Sequence, residues 1–165
     1  MENWFLIVGV ILCILVFEGI FLYRKHTAVK ETLPYKKKDS ILHAVEKEVF
    51  DEITSLLPSS YILFPQVVLS NLVTVTAPKK EFWGFMNKVN KKTIDFVVCT
   101  KKDFSPVLAI EYDGRMHQKK ERKERDRFVD TVLFSAKMPI LHIPHTRERD
   151  LAELKKQILE KLSLS

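Results

Sequence analysis

Two short apolar runs separated by a polar turn constrain this chain more than any other feature. They are Thr93-Ile94-Asp95-Phe96-Val97-Val98-Cys99 and Val107-Leu108-Ala109-Ile110-Glu111-Tyr112-Asp113. Both are rich in β-branched and apolar residues and read as strands. The segment between them, Thr100 to Pro106, is polar and ends in Ser-Pro, a turn signal. An antiparallel hairpin centred near Asp103 sets Asp95 directly opposite Glu111, since the two lie equally far from the centre. Opposed residues share a face, with Cβ atoms about 4.5–5.5 Å apart. Asp113, two residues beyond Glu111, falls on that face as well. Three carboxylates placed so repel one another, and a hard divalent cation with oxygen ligands, such as Mg²⁺, relieves the repulsion. A slip of one residue in register would undo the arrangement.

The 165 residues leave room for one domain of ordinary size beside shorter segments. A net charge of +6 favours an anionic partner, either nucleic acid or an anionic lipid surface. Cys13 and Cys99 sit in an apolar run and an expected strand. Two such cysteines exclude a disulfide framework and a cysteine metal site, and fit a reducing compartment.

Trp4 to Tyr23 is a run of 20 residues whose only charge is Glu18. That length suits a bilayer core of about 30 Å, and the end aromatics suit its interfaces. A cleaved signal peptide usually begins basic and closes on small residues. This chain begins with Glu2 and closes the run on Phe21, Leu22 and Tyr23, so an uncleaved anchor is expected over 1–25. Arg24, Lys25, His26 and Lys30 follow it, which by the positive-inside rule puts the N-terminus outside and the rest in the cytoplasm. A single-pass protein of the inner, cytoplasmic membrane is the expectation. Residues 26–39 form a basic linker with Lys36-Lys37-Lys38, and 40–165 form the cytoplasmic domain.

Within that domain Ser40 reads as an N-cap for a helix to about Leu57, stopped by Pro58. Glu46 lies along its apolar stripe of Leu42, Val49, Phe50 and Ile53, which is costly for a carboxylate unless it is paired or near a cation. Glu48 and Glu52 have polar neighbours and read as solvated. Tyr61 to Leu69 reads as a strand, with Pro65 marking an edge or bulge, and Leu72 to Thr76 as a short extended piece or a helical turn. Lys79 to Lys91 mixes Phe82, Trp83, Phe85 and Met86 with lysines. Stacking of bases is one use for such aromatics, and packing into the core is the favoured one. After the hairpin, a charged run from Lys119 to Arg127 leads into a helix to about Lys137, with Phe128, Val129, Val132 and Leu133 as its stripe. Ile140 to Ile143 reads as a strand parallel to the hairpin, since a helical crossover precedes it. A last amphipathic helix runs from about Glu148 to Leu162. The order α-β-β-β-α-β-α gives an α/β (α+β) domain, a mixed sheet flanked by helices.

Taken together, Ile94-Asp95-Phe96-Val97, Ala109-Ile110-Glu111-Tyr112-Asp113-Gly114, His117, Arg125-Asp126, Phe128, Leu133 and Pro139-Ile140 resemble the restriction-endonuclease-like PD-(D/E)XK superfamily. Within it the chain most resembles a bacterial family known as domain of unknown function 2726, related to the very-short-patch-repair endonucleases. Glu46 with Val49-Phe50 and Ile53, Tyr61, Phe64-Pro65-Gln66-Val67, Leu69, Phe85 and Lys92 extend the likeness upstream. The resemblance implies that Asp95 and Glu111 bind Mg²⁺ or Mn²⁺, with the Tyr112 carbonyl as a further ligand and Glu46 as the helix-borne carboxylate of the cluster. The superfamily pattern has a Lys two residues after Glu111, where this chain has Asp113. Asp113 or His117 would then handle the proton, and Lys92 would stabilise phosphoryl charge. His142 also departs from the basic residue expected at its place.

The function so implied is metal-dependent hydrolysis of phosphodiester bonds by a membrane-anchored nuclease, on DNA ahead of RNA. Lys92, Lys119, Lys120, Arg122 and Arg125 would hold the backbone without reading sequence. The alternative is a nuclease-fold module without catalysis that binds nucleic acid or protein at the membrane.

Overall fold

The computed structural model describes residues 3–26, 33–113, 120–146 and 148–164. The chain divides into two compact units, Met1–Lys38 and Asp39–Ser165. The first contains helix α1, Asn3–His26. Among the described residues no helix is long and apolar enough to cross a membrane. The described side chains of α1 form an unbroken run only over 7–23, while its backbone helix extends for 24 residues. Residues 27–32, most of the expected linker's first half, lie outside the described residues.

The second unit is a four-stranded mixed sheet in the order β1-β2-β3-β4, with helices on both faces. Its elements are α2 (Ala44–Leu56), β1 (Tyr61–Val68), a 3-10 turn (Leu69–Asn71), α3 (Lys79–Val89), β2 (Thr93–Thr100), β3 (Pro106–Asp113), α4 (Lys120–Ser135), β4 (Ile140–Pro144) and α5 (Leu151–Leu162). The sequence-based order therefore lacked one helix, α3. Its helical period, Phe82, Met86 and Val89, is carried by three residues set among lysines in a helix of 11 residues.

The central hairpin has the expected register. Phe96 pairs with Ile110, Val97 with Ala109 and Val98 with Leu108, with an irregularity at Val98/Cys99. On one face Phe96, Val98, Leu108 and Ile110 pack with Leu141 and Ile143 of β4, Val49 and Ile53 of α2, and Leu154, Ile158 and Leu162 of α5. On the other face Ile94, Val97, Cys99 and Ala109 pack with Leu69, Val89 of α3, and Val129 and Leu133 of α4. These strands are covered on both faces, which is why they read as apolar runs broken only at Asp95 and Glu111. β1 is an edge strand antiparallel to β2, and next to Pro65 the backbone of Gln66 takes φ 53°, a local irregularity of that edge. β4 runs parallel to β3, after the crossover through α4.

Local starts and stops differ from the sequence-based expectation in physical detail. α2 begins at Ala44, not after Ser40. The Glu46 side chain accepts a hydrogen bond from the His43 backbone N–H at 2.8 Å, which fixes the helix start there. Ser40 Oγ instead closes a local turn with Leu42. α5 begins at Leu151 because the Asp150 carboxylate caps the Ala152 and Glu153 N–H groups. Glu52 is only partly open to solvent. Its carboxylate takes a two-pronged contact from Arg149, Nε to Oε2 at 2.6 Å and Nη2 to Oε1 at 3.1 Å.

Candidate functional site

The observed pairs of β2 with β3 end at Phe96 and Ile110, and the same register continued one step would bring Asp95 across from Glu111. Alternation along β3 puts Glu111 on the face that carries Val97 and Ala109, while Asp95 stands where the alternation of β2 breaks, since Ile94 packs with Val97 and Phe96 packs on the opposite face. Asp95 and Glu111 are both half-buried, and Glu111 Oε1 is shielded from solvent. Asp95 Oδ2 accepts a hydrogen bond from the Tyr112 backbone N–H at 2.9 Å, so the first carboxylate is tied to the strand that carries the second. Asp113 follows on the same face by alternation.

β4 adds to this face a residue whose role the sequence did not disclose. His142 is the parallel register partner of Glu111. Its Nε2 lies 3.1 Å from Asp130 Oδ1 on α4, and its Nδ1 lies 3.7 Å from Asp113 Oδ1. The imidazole is thus held between two carboxylates beside Glu111, with more than a third of its side chain open to solvent. The readable signal was its place between Leu141 and Ile143, on the opposite face from both.

The opposite face holds a second polar group. The Tyr112 side chain packs toward α2 and α5. Its hydroxyl is hydrogen-bonded to His145 Nδ1, and the Arg149 guanidinium lies 5.8 Å from its ring centre. Glu52 holds Arg149 in place and raises its pKa further above the usual arginine value. Tyr112 therefore joins the two groups: its side chain is fixed by His145, and its backbone N–H holds Asp95.

The remaining sequence-based candidates divide as follows. Glu46 belongs to α2, which packs on the face away from Glu111, and Glu46 Oε2 is engaged by the N–H of His43. It is half-buried, at the margin of the stripe rather than within it. Lys92 is half-buried at the entry to β2, where its carbonyl accepts from Leu69 N–H. His117 and Lys119 lie outside the described residues, and Lys120, Arg122 and Arg125 are described only as backbone of α4. Among the described residues, no three His, Cys, Asp or Glu side chains form a group that could hold a metal ion. The convergence of Asp95, Glu111 and Asp113 expected from the hairpin alone is thus not reached. Glu111 and Asp113 share a face by alternation, Asp95 is tied to β3 through Tyr112 N–H, and Asp113 lies toward His142.

A family model described as "Protein of unknown function (DUF2726)" matches residues 38–162. The chain belongs to DUF2726. No curated protein and no solved structure matches it. The DUF2726 region contains all four strands and helices α2 to α5, and so includes every residue of the site just described. α1 lies outside it.

Chemically, the DUF2726 face offers two cross-strand carboxylates, a third carboxylate, and an imidazole between acids. An all-oxygen pair of this kind suits Mg²⁺. That ion is commonly held by one or two carboxylates, with water and substrate phosphate filling the other positions, rather than by a protein cage. The donor set fits such an ion without a third protein ligand.

Proposed function

We propose that this protein hydrolyses phosphodiester bonds in nucleic acid, DNA ahead of RNA, with Mg²⁺ or Mn²⁺ held by Asp95 and Glu111. The observation that supports this reading is the hairpin register, which continued one step beyond Phe96 and Ile110 would bring those two carboxylates across from each other, together with the hydrogen bond from Tyr112 N–H to Asp95. The likeness to PD-(D/E)XK nucleases supports it, with the Tyr112 carbonyl as a further ligand. A metal bound there supplies Lewis-acid polarisation of the phosphate and lowers the pKa of a bound water. The chain's own residues supply the rest. Tyr112 N–H orients Asp95. His142, held by Asp130 and Asp113, is placed to act as the general acid–base group on this face, a role expected from sequence for Asp113 or His117. The basic first half of α4 and Lys92 would contact phosphates.

The N-terminal helix would tether this domain to the inner membrane, with its N-terminus outside and the linker and residues 40–165 in the cytoplasm. α1 has 24 residues, about 36 Å at 1.5 Å per residue, against a bilayer core of about 30 Å. Its side chains over 7–23 are exposed, and apolar apart from Glu18.

A second reading is a module that binds nucleic acid or protein at the membrane and has lost catalysis. The observation in its favour is Asp113, an acid where the superfamily pattern has lysine. One experiment separates the two. The full chain in non-ionic detergent is offered single- and double-stranded DNA and RNA with Mg²⁺ or Mn²⁺, beside Asp95→Asn and Glu111→Gln. Metal-dependent cutting abolished by both substitutions supports hydrolysis. Binding without cutting, or cutting that both variants retain, removes it in favour of the second reading.

A further inference from the structure

Helix α3 does not bury its aromatics as a core helix would. Trp83 is 69% exposed and Phe85 44% exposed, while Met86 and Val89 pack into the core. The exposed indole leaves a flat aromatic face available to a ligand, and such a face can stack a base. The half-buried Phe82 meets the ring edge to face, with centroids 5.3 Å apart and planes at 85°. Lys79 and Lys80 precede Trp83 by four and three residues, so both lie on its side of the helix, and both are exposed. The helix's one carboxylate, Glu81, lies about 160° away around the axis. A flat ring with two ammonium groups beside it and no acid nearby on the helix is complementary to a base and its flanking phosphates.

Placement on the molecule agrees. α3 packs through Val89 and Met86 on the face that carries Glu111, and it leads through 90–92 directly into β2. Bases are available for stacking on an aromatic ring only where they are not enclosed in a duplex. We infer that Trp83, with Lys79 and Lys80, is a stacking platform for single-stranded nucleic acid that lies along α3 toward the carboxylate face. This rests on the proposed nucleic-acid function for its partner class, but not on catalysis.

The test uses the full chain in non-ionic detergent with Trp4→Phe, so that Trp83 is the only indole, and with EDTA present so that no cutting occurs. The probe is an oligothymidylate of about 20 nucleotides. Saturable quenching of Trp83 fluorescence is expected. Labelled oligonucleotide should bind Trp83→Ala about five- to a hundred-fold more weakly, and Trp83→Phe should recover most of the loss. Lys79→Glu with Lys80→Glu should flatten the dependence of log affinity on log salt by about 1.4, at about 0.7 for each phosphate no longer neutralised. Trp83 is exposed enough that its replacement should leave the fold intact, which circular dichroism checks. Unchanged oligonucleotide affinity in Trp83→Ala overturns the inference. So does a Trp83 emission that shifts with phosphatidylserine vesicles but not with oligothymidylate, which would make the helix a membrane contact. Quenching without any metal-dependent cutting would leave this inference standing and remove the hydrolytic one, and cutting without quenching would do the reverse.

Discussion

The contact between Arg149 and Glu52 invites a double-mutant cycle with an outcome opposite to simple addition. Arg149 precedes α5, and Glu52 lies on α2, 97 residues away in sequence. The arginine side chain is 10% exposed and the glutamate 29%. Two charge-assisted hydrogen bonds join them, and a cation–π contact with Tyr112 adds to the arginine's environment. Removing one partner of a buried pair costs about 3–5 kcal/mol, because a charge is stranded. Glu52 can recover water through its open side, so Arg149→Met should cost less than that range, about 2 kcal/mol. Arg149 has less access, so Glu52→Met should strand the more deeply buried charge and cost about 3 kcal/mol. The double variant leaves no charge behind and replaces the pair with apolar volume, so it should cost under about 1 kcal/mol. For a unit of this size, 2 kcal/mol corresponds to about 7 °C in Tm. The assay is urea unfolding of the full chain in non-ionic detergent, followed by near-ultraviolet circular dichroism, which reports the packed sheet. A double variant whose cost equals the sum of the singles, or Glu52→Met costing less than Arg149→Met, would refute the reasoning.

Three further outcomes follow from named contacts. His142→Asn should lower kcat of any metal-dependent cleavage by about 10²-fold or more with little change in KM, and an unchanged kcat removes His142 from the chemistry. Burial pushes the Cys99 thiol up from its ordinary value, so in a Cys13→Ala background Cys99 should react with a thiol reagent only as fast as the sheet opens; labelling at the rate of an exposed thiol would contradict its place in the core. The Asp103 carboxylate is held below its usual range, first by the Thr100 hydroxyl and then by the Ser105 N–H. A lowered folded pKa means that its contribution to the loop is present above the unfolded value near 3.9 and is lost as pH falls through the folded one. Carbon NMR of the Asp103 carboxyl should therefore show a midpoint below about 3.9, and a midpoint at or above that value would oppose the assignment.

What the sequence disclosed and what it withheld divide along the distance over which each feature is determined. The hairpin was legible because two short apolar runs joined by a single polar turn fix its register within 21 residues, Thr93 to Asp113, and that register continued one step would bring Asp95 across from Glu111. The parallel strand β4 was legible because a helical crossover from β3 leaves few alternatives. Glu52 was misread because its helical neighbours are polar, and nothing near it in the chain announces an arginine 97 residues on. His142 was legible as a residue on the face opposite Leu141 and Ile143, but its partners were not. Asp113 reaches it through strand pairing and Asp130 through helix packing. Asp113 was expected beside Asp95 and Glu111 for the same reason. Alternation fixes its face correctly, but β4 completes the sheet on that side and supplies an imidazole, so the third carboxylate lies toward His142. A local rule pointed to the first two carboxylates, and a non-local contact decided the surroundings of the third. The acid–base part of the proposed chemistry is therefore the part that sequence alone was least able to assign.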